Sequence, residues 1–214
     1  MIQGPGHIGQ NNIIHQFASL GDAPQDKSYR GEPTRFEIGD NNVIREYVTI
    51  NRGTVNGRGV TRLGSNNYMM AYSHLAHDCQ VGNGTIFANA ASLAGHVVVD
   101  DWVIMGGFAI VHQFCRIGAH SFCALGSVIF KDVPPYATVS GNPASPHGIN
   151  SEGLRRRGFS PETSQKRRTA HKVLYKSKLP LVQAQKELES LGQTCDEVAN
   201  IARFIEESRR SLVR

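Results

Sequence analysis

This sequence lacks several features that would place a protein in a class at once. No apolar run is long enough to cross a membrane, aromatic residues make up only 7% of the chain, and there is one tryptophan. The four cysteines show no CxxC or CxxxC spacing, so we expect neither a disulfide framework nor a cysteine metal site. The N-terminus MIQGPGHIGQ has no apolar stretch, which predicts no signal peptide and, with unpaired cysteines, a cytoplasmic location.

The net charge of +5 is modest for 214 residues and is unevenly placed. Residues 1–147 hold 9 Lys+Arg and 10 Asp+Glu, a balance of −1, whereas residues 148–214 hold 14 and 8, a balance of +6. A basic segment often binds nucleic acid, but acidic residues are mixed into this one and no nucleic-acid motif is present. An acidic protein partner, or the phosphates of a small ligand, would account for the charge equally well.

What the chain does have is an apolar residue at every sixth position from residue 63 to residue 129. A period of six matches neither the helical period of about 3.6 nor the strand period of about 2. It is the signature of a parallel β-helix, in which three short strands make one triangular coil and each apolar residue faces inward. The row consists of Leu63, Met69, Leu75, Val81, Phe87, Leu93, Val99, Met105, Val111, Ile117, Cys123 and Ile129.

A second row, four positions after the first, contains only small, β-branched or compact residues and also indicates a close-packed interior. It consists of Asn67, Ser73, Cys79, Thr85, Ala91, Val97, Val103, Ala109, Cys115, Ser121 and Ser127. Every third residue of the first row is followed by Gly or Asp, at a spacing of 18 residues. This spacing predicts coils of 18 residues, with left-handed backbone at the corner residues Gly64, Gly82, Asp100 and Gly118.

Two interruptions of the repeat predict loops. The six-residue rows at 8–20 and 38–50 share one phase, and the polar stretch 21–37 between them contains two prolines. The step from Ile50 to Leu63 is 13, one more than two hexads, so residues 51–62 predict a second loop. Because loops on a rigid scaffold collect binding residues, we expect functional side chains there.

After Pro134-Pro135 the repeat stops and a helical pattern follows. Ser160-Pro161-Glu162 is typical of a helix start, and Thr194 with Glu197 forms a capping box. These signals predict helices over about 160–178, 179–191 and 194–209. We therefore expect two domains: a hexapeptide-repeat β-helix over residues 1–147 and a basic α-helical C-terminal domain over residues 148–214.

Four of the nine histidines cluster in the sequence, at His74, His77, His96 and His112. The last three are 19 and 16 residues apart, close to one coil, so we expect them near one edge of the prism on coils about 4.8 Å apart. With carboxylate and glycine neighbours, they make acid–base chemistry a reasonable hypothesis. Two alternatives stay open: turn histidines bonded to the next coil, or zinc bound by His74, His77 and His96.

Seven segments carry a resemblance that covers nearly all of the chain. They are GEPTR (31–35), REYVTINRGT (45–54), HLAHDCQVGN (74–83), LAGHVVVDD (93–101), VHQFCRIGAH (111–120), DVPPY (132–136) and NSEGLRRRGFS (150–160). Together and in this order they resemble the UDP-N-acetylglucosamine O-acyltransferases, the first enzymes of lipid A synthesis. A single hexapeptide is weak evidence, but the combination is specific.

The resemblance implies a mainly β fold, a left-handed parallel β-helix with a C-terminal α-helical domain. It also implies a homotrimer with active sites in the clefts between neighbouring subunits. The implied reaction moves a 3-hydroxyacyl group from acyl carrier protein to the 3-hydroxyl of UDP-N-acetylglucosamine. No cofactor or metal is implied, because the carrier-bound thioester is itself the donor, and the acidic carrier protein would suit the basic tail.

By position, the resemblance implies catalytic roles for His77, Asp78 and Gly95. His77 matches the general base that takes the proton from the sugar 3-hydroxyl. Asp78 matches the carboxylate that orients this histidine, and the backbone N–H of Gly95 matches the oxyanion donor.

The resemblance also implies a larger set of substrate-binding residues. Asp26, in the first loop, matches a carboxylate that contacts the sugar. Positions that line the nucleotide-sugar and acyl site are matched by His74, His96, His112 and Gln113. Positions at the nucleotide end, where adjacent arginines would hold a diphosphate, are matched by Asn150, Glu152, Arg156 and Arg157.

Three features of this chain depart from the family pattern. The family usually begins with further coils upstream of the segment that starts at Ile8, so we expect this chain to lack N-terminal coils. Ser28 stands where relatives often have lysine, beside Asp26. Leu125 stands where some members have glycine at the floor of the acyl groove, which predicts a medium-length 3-hydroxyacyl chain.

Two other functions remain open on the sequence alone. One is another hexapeptide acyltransferase, such as the related N-acyltransferase of the same pathway. The other is a shortened, non-catalytic β-helix that binds a nucleotide sugar or a metal.

Overall fold

The computed structural model describes the backbone of residues 1–214 and all side chains except those of residues 161–164. The strands within this part are β1 (Gly6–Ile8), β2 (Ile13–Ile14), β3 (Ser19–Asp22), β4 (Arg35–Ile38), β5 (Val43–Ile44), β6 (Thr49–Asn51), β7 (Val60–Leu63), β8 (Tyr68–Met69), β9 (His74–Leu75), β10 (Gln80–Val81), β11 (Ile86–Phe87), β12 (Ser92–Leu93), β13 (Val98–Val99), β14 (Ile104–Met105), β15 (Ile110–Val111), β16 (Arg116–Ile117), β17 (Phe122–Cys123), β18 (Val128–Ile129), β19 (Ala137–Gly141) and β20 (Ala144–Ile149). The helices are α1 (Ser151–Arg156), α2 (Pro161–Tyr175), α3 (Leu181–Gly192) and α4 (Asp196–Glu207).

The strands form three sheets, which are the three faces of a triangular prism. Face 1 has the order β1-β4-β7-β10-β13-β16, face 2 has β2-β5-β8-β11-β14-β17-β19-β20, and face 3 has β3-β6-β9-β12-β15-β18. From β1 to β18 consecutive strands thus visit the faces in turn, and parallel partners lie three strands apart. At the end of the prism β19 pairs in parallel with β17, and β20 pairs antiparallel with β19. Val81 pairs with Leu63 on one side and with Val99 on the other, a register of 18 residues. The predicted coil length is therefore confirmed.

The interior of the prism consists of the two predicted rows. All twelve apolar residues of the first row are at most 4% exposed, and all eleven members of the second row are buried as well. Some buried polar members are hydrogen-bonded along the axis, as at Asn67, whose side-chain oxygen accepts from the N–H and hydroxyl of Thr85 at 2.8 and 2.7 Å. Cys79, Cys115 and Cys123 are free thiols in this interior.

The corners differ from the prediction in one respect. Gly64, Gly82, Asp100 and Gly118 do not carry the left-handed backbone; it falls two residues later in each turn, at Asn66, Gly84, Trp102 and His120. The glycines serve close stacking instead, since a Cβ on Gly64 would lie 2.5 Å from the carbonyl oxygen of Gly82 on the next coil. In each of these four turns the third residue, counted from the glycine or aspartate, has a φ near +60°, although its side chain differs from turn to turn.

Both predicted loops are narrower than expected. The first is 23–34 and not 21–37, because Asp22 pairs with Asn51 and residues 35–38 pair with two neighbouring strands. The second is 52–59 and not 51–62, because residues 60–63 continue face 1. Main-chain pairing therefore extends further into both polar segments than their composition suggests.

The helical region contains one more helix than predicted. The helix α1 is capped by Asn150, whose side chain accepts from the N–H of Gly153. The predicted capping box is wrong: the residue before α4 is Cys195, and the Thr194 hydroxyl donates backward to the Leu191 carbonyl. The predicted start at Pro161-Glu162 involves side chains outside the described residues. No helix within the described part of the chain is long and apolar enough to cross a membrane.

Two hydrophobic clusters occupy the two regions. One fills the prism, and the other joins the helices around Leu188, Val198 and Phe204. The strand β20 runs across the expected boundary at residues 147 and 148, so the division into two domains stays a prediction. After α4, residues 208–214 return to the prism as a segment we call the C-terminal strap, and Val213 joins the prism cluster.

Candidate active site

The corner between face 3 and face 1 carries the predicted catalytic residues. Its turns at 76–79, 94–97 and 112–115 lie one above another on successive coils, each between a face 3 strand and a face 1 strand. The His96 N–H donates to the His77 carbonyl at 3.0 Å, and the Phe114 N–H donates to the Gly95 carbonyl at 3.2 Å. Residue 95 therefore stacks over residue 77, and residue 96 over residue 78.

His77 and Asp78 form a hydrogen-bonded pair at this corner. The His77 Nδ1 lies 3.0 Å from Asp78 Oδ2, the Asp78 side chain is 0% exposed, and that of His77 is 15% exposed. Burial raises the pKa of the Asp78 carboxyl, but hydrogen bonds from His77, Thr54 and Arg58 outweigh it and hold the pKa below its usual value. An ionised carboxylate can only accept, so Nδ1 of His77 carries the proton and Nε2 keeps a lone pair.

The loop 52–59 supplies most of the donors that hold Asp78. The Thr54 N–H and hydroxyl donate to Asp78 Oδ2 at 3.0 and 2.7 Å, and the Arg58 N–H donates to Oδ1 at 2.7 Å. A Cβ on Gly57 would lie 2.4 Å from the carboxylate carbon, so only glycine allows the loop to lie this close. Sequence analysis predicted functional side chains in this loop but not which ones, since nothing in it signals a contact with Asp78.

Gly95 lies directly against the His77 ring. A Cβ there would be 2.6 Å from His77 Cε1 and 2.7 Å from Nε2, so glycine is what lets the ring occupy its place. Among the described residues, none accepts a hydrogen bond from the Gly95 N–H. This backbone donor is thus unpaired within the described part of the chain, and its residue packs against the His77 ring.

His96 packs against His77 of the His77–Asp78 pair. Its ring stacks on Phe114 at 4.4 Å and meets His77 edge-on at 5.0 Å between ring centres. Burial lowers the pKa of His96, the Asp78 charge opposes that effect, and the net pKa lies below the usual value. His96 is therefore a neutral ring at pH 7.

Two observations bear on the alternative of a bound metal ion, one in favour of it and one against it. Ligand atoms of His77, Asp78 and His96 lie within 4.8 Å of one another, which differs from the set expected from sequence. However, Asp78 Oδ2 already accepts from Thr54 twice and from His77. A metal ion at that oxygen would have to displace these hydrogen bonds.

His74 and Asp26 lie near the same corner. The His74 Nδ1 is 2.7 Å from the Thr49 hydroxyl, and burial first, then the neighbouring His77, lower the pKa of His74. Asp26 lies in the loop 23–34 and accepts from the N–H and the hydroxyl of Ser28, both at 2.8 Å. These two bonds hold the pKa of Asp26 below its usual value, so Ser28 stabilises the charge of its neighbour.

His112 and Gln113 occupy the next turn of this corner and meet the C-terminal strap. The Arg210 Nη1 is 2.9 Å from His112 Nδ1 and donates to the Gln113 carbonyl at 2.7 Å. The Gln113 side chain is exposed. Sequence analysis missed Arg210, because a residue 98 positions away has no place in the repeat.

Leu125 lies at a different corner, between face 2 and face 3. It is 72% exposed and touches the next coil, since a Cβ on Gly107 would lie 3.2 Å from its Cδ1. In a single chain it is therefore separated from His77 by a face of the prism.

The residues predicted for the nucleotide end surround a cleft of about 660 Å³ over face 2. Asn150 is occupied within the fold, because it caps α1 and its Nδ2 donates to the His120 carbonyl at 3.0 Å. Glu152 is paired with Arg155 and Arg156, and these partners lower the pKa of Glu152 to about 2, Arg155 contributing most. The Arg157 guanidinium lies 5.3 Å from the centre of the Trp102 ring.

The structure thus gathers His77, Asp78, Gly95, His96 and His112 along one corner. It places the nucleotide-end group over face 2, on the far side of the prism from that corner. Within a single chain the two groups therefore face different sides of the prism.

The profile of the family described as UDP N-acetylglucosamine O-acyltransferase, domain 2, matches residues 132–213. The acyl-[acyl-carrier-protein]--UDP-N-acetylglucosamine O-acyltransferase of Alkalilimnicola ehrlichii is 58% identical over 198 residues, 92% of this chain and 77% of that protein. The protein of the same name from Thiobacillus denitrificans is 55% identical over 96% of this chain and 79% of its own length.

The solved structures agree with the sequence comparisons. The UDP-N-acetylglucosamine acyltransferase of Francisella novicida superposes with a TM-score of 0.96 at 39% identity, over 100% of this chain and 85% of that one. The chain therefore belongs to the UDP-N-acetylglucosamine O-acyltransferase family. The resemblance seen in the sequence is confirmed, and so is the fold class, a left-handed parallel β-helix with a C-terminal α-helical region.

Proposed function

We propose that this chain transfers a 3-hydroxyacyl group from acyl carrier protein to the 3-hydroxyl of UDP-N-acetylglucosamine, the first step of lipid A synthesis. Its family membership supports the reaction. The observation that carries the chemistry is the 3.0 Å contact between His77 Nδ1 and the buried Asp78 carboxylate, which leaves Nε2 free to accept a proton.

The proposed mechanism uses three groups. Nε2 of His77 takes the proton of the sugar 3-hydroxyl as that oxygen attacks the thioester carbonyl, and Asp78 stabilises the imidazolium that forms. The Gly95 N–H donates to the carbonyl oxygen as it becomes negative. When the carbon–sulfur bond breaks, the imidazolium returns the proton to the departing thiolate, so the base is regenerated.

The reaction is tested by mass spectrometry. The protein receives UDP-N-acetylglucosamine and a mixture of 3-hydroxyacyl carrier proteins of several chain lengths, and a UDP-3-O-acyl sugar is the expected product. His77→Ala should lower turnover about 10²–10⁴-fold while still binding the nucleotide sugar. His7→Ala, which removes an exposed histidine on β1, is the matched control and should keep full turnover.

We propose that the complete site lies between two copies of a homotrimer. The observation that supports this is the separation of the His77 corner from the nucleotide-end cleft over face 2. Substrate-binding roles for Asp26, His74, His96, Gln113 and Arg157 then come from two subunits. Mixed oligomers of His77→Ala and Arg157→Ala chains test this, because some of their clefts would combine one intact corner with one intact face. Activity that does not recover on mixing would rule out a shared site.

We further propose that the helical region receives the carrier protein. Its balance of +6 is complementary to an acidic partner, whereas the β-helix is nearly neutral. The apparent KM for acyl carrier protein should then rise steeply with salt, while the KM for the nucleotide sugar changes less. An equal salt dependence for both substrates would contradict this docking surface.

A further inference from the structure

The C-terminal strap is fixed against the catalytic corner by main-chain and core contacts. The Val213 N–H donates to the Asp132 carbonyl at 2.8 Å, and the Asp132 N–H donates to the Ser211 carbonyl at 2.9 Å. Val213 itself is 2% exposed within the prism cluster. Arg210 directly precedes these anchors and its carbonyl accepts from the Ser208 hydroxyl at 2.6 Å, so its backbone is held against the corner.

Arg210 determines which nitrogen of His112 carries the proton. A guanidinium has donors and no acceptor, so the 2.9 Å contact requires a lone pair on His112 Nδ1. The same nitrogen lies 3.2 Å from the Gln113 carbonyl, a contact that would need a proton on Nδ1. The Arg210 contact is shorter, and Arg210 also satisfies that carbonyl at 2.7 Å, so the unprotonated Nδ1 prevails. The neutral ring then carries its proton on Nε2.

Two of the three histidines of this corner, His77 and His112, are therefore held in opposite tautomers by partners of opposite charge. At His77 a carboxylate accepts from Nδ1 and leaves a lone pair on Nε2. At His112 a guanidinium donates to Nδ1 and leaves an N–H at Nε2. None of the described side chains is hydrogen-bonded to that Nε2, and His112 is only half-buried, so the donor is open to a ligand.

We propose that Arg210 is a positioning residue that keeps His112 as a hydrogen-bond donor to a substrate oxygen, while His77 acts as the base. This inference rests on the proposed function. The acceptor is a hydroxyl or carbonyl oxygen, which the acyl chain and the sugar both offer.

The tautomer can be measured without any substrate. Full-length protein labelled with ¹⁵N-histidine is examined by long-range ¹H–¹⁵N correlation, and the His112 signals are assigned by their loss in His112→Asn. The expected pattern is a protonated Nε2 and an unprotonated Nδ1 at His112, with the reverse at His77. A protonated Nδ1 at His112 in the wild-type protein would overturn the proposal even if the enzyme is fully active.

Variants of Arg210 connect the tautomer to turnover. Arg210→Met should give a mixture of His112 tautomers and lower kcat/KM about tenfold, the usual effect of one lost hydrogen bond. Arg210→Lys keeps a charged donor and should therefore retain most of the wild-type tautomer preference of His112 and most of kcat/KM. Arg209→Met removes the same charge one residue away and should leave the His112 tautomer unchanged. An unchanged tautomer in Arg210→Met would refute the role of Arg210.

The donor substrate identifies the oxygen that His112 contacts. The Arg210→Met effect is measured with a 3-hydroxyacyl carrier protein and with the same chain lacking the 3-hydroxyl. If the effect vanishes with the second donor, the acceptor is the acyl hydroxyl; if it persists, the acceptor is the thioester carbonyl or the sugar. No effect with either donor would overturn the contact with substrate.

Discussion

Thr54→Val tests whether the loop 52–59 maintains the catalytic pair. The Thr54 hydroxyl is buried and donates at 2.7 Å to Oδ2 of Asp78, the oxygen that also accepts from His77. Valine keeps the shape of the side chain and removes this donor, while the Thr54 N–H remains. A hydrogen bond to a charged group contributes roughly 1.5–3 kcal/mol, so we expect a loss of about 2 kcal/mol in stability at pH 7.

The same change should lower kcat more than it changes KM. In the transition state His77 becomes an imidazolium beside Asp78. If the variant stabilises that state by about 1 kcal/mol less than wild type, half of the loss above, kcat falls roughly fivefold. Thr54→Ser keeps the hydroxyl and is the matched control, with kcat close to wild type. A fall in kcat for serine as large as that for valine would show that packing, and not the hydrogen bond, matters at this position.

The stability effect of Thr54→Val should also depend on pH. Hydrogen bonds hold the pKa of Asp78 below its ordinary 3.8, so their contribution is fully present above pH 3.8 and is lost as the pH falls through the lower folded-state value. The difference in unfolding free energy between wild type and variant should be constant from pH 7 to about 5 and shrink below 3.8. Urea denaturation at a fixed protein concentration measures it. A difference that does not change between pH 7 and pH 3 would refute an ionised Asp78 as its source.

Two further substitutions test the neighbouring geometry. Gly95→Ala should lower kcat by about 10²-fold or more, because its Cβ would lie 2.6 Å from His77 Cε1 and displace that ring. Calorimetry should show that the variant still binds the nucleotide sugar. Near-normal turnover would contradict the close packing of residue 95 against His77. Leu125→Gly should lengthen the preferred acyl chain in the mass-spectrometric competition, since the exposed leucine then no longer shortens the groove, and an unchanged product length would exclude that role.

The interior of the β-helix could be predicted from the sequence because one periodic constraint determines it. Each coil contributes one large and one small inward residue per face, so twelve apolar residues at a spacing of six specify the faces and the register together. The loop boundaries and the helix α1 were harder to predict. Residues 60–62, which include polar Thr61 and Arg62, pair as a strand because their neighbours are in register. A six-residue helix capped by Asn150 has too short a pattern to detect.

The active site was only partly predictable, for a related reason. The 18-residue coil places His77, His96 and His112 near one corner, and the family resemblance supplies roles for them. Neither the coil spacing nor the resemblance indicates which side chains pack against these rings. Thr54 and Arg210 lie 24 and 98 residues from their partners, in segments outside the repeat, and their side chains alone carry no sign of those contacts.

These segments outside the repeat contribute directly to the protonation states of the corner. Burial by itself raises the pKa of Asp78, and a neutral carboxylic acid would no longer compel His77 to keep its proton on Nδ1. The hydrogen bond from His77 and three donors of the loop 52–59 together hold the pKa of Asp78 below its usual value. In the arrangement proposed above, the strap favours the opposite tautomer at His112 with one donor. The proposed acid–base function of this chain therefore draws on two segments that lie outside the repeat.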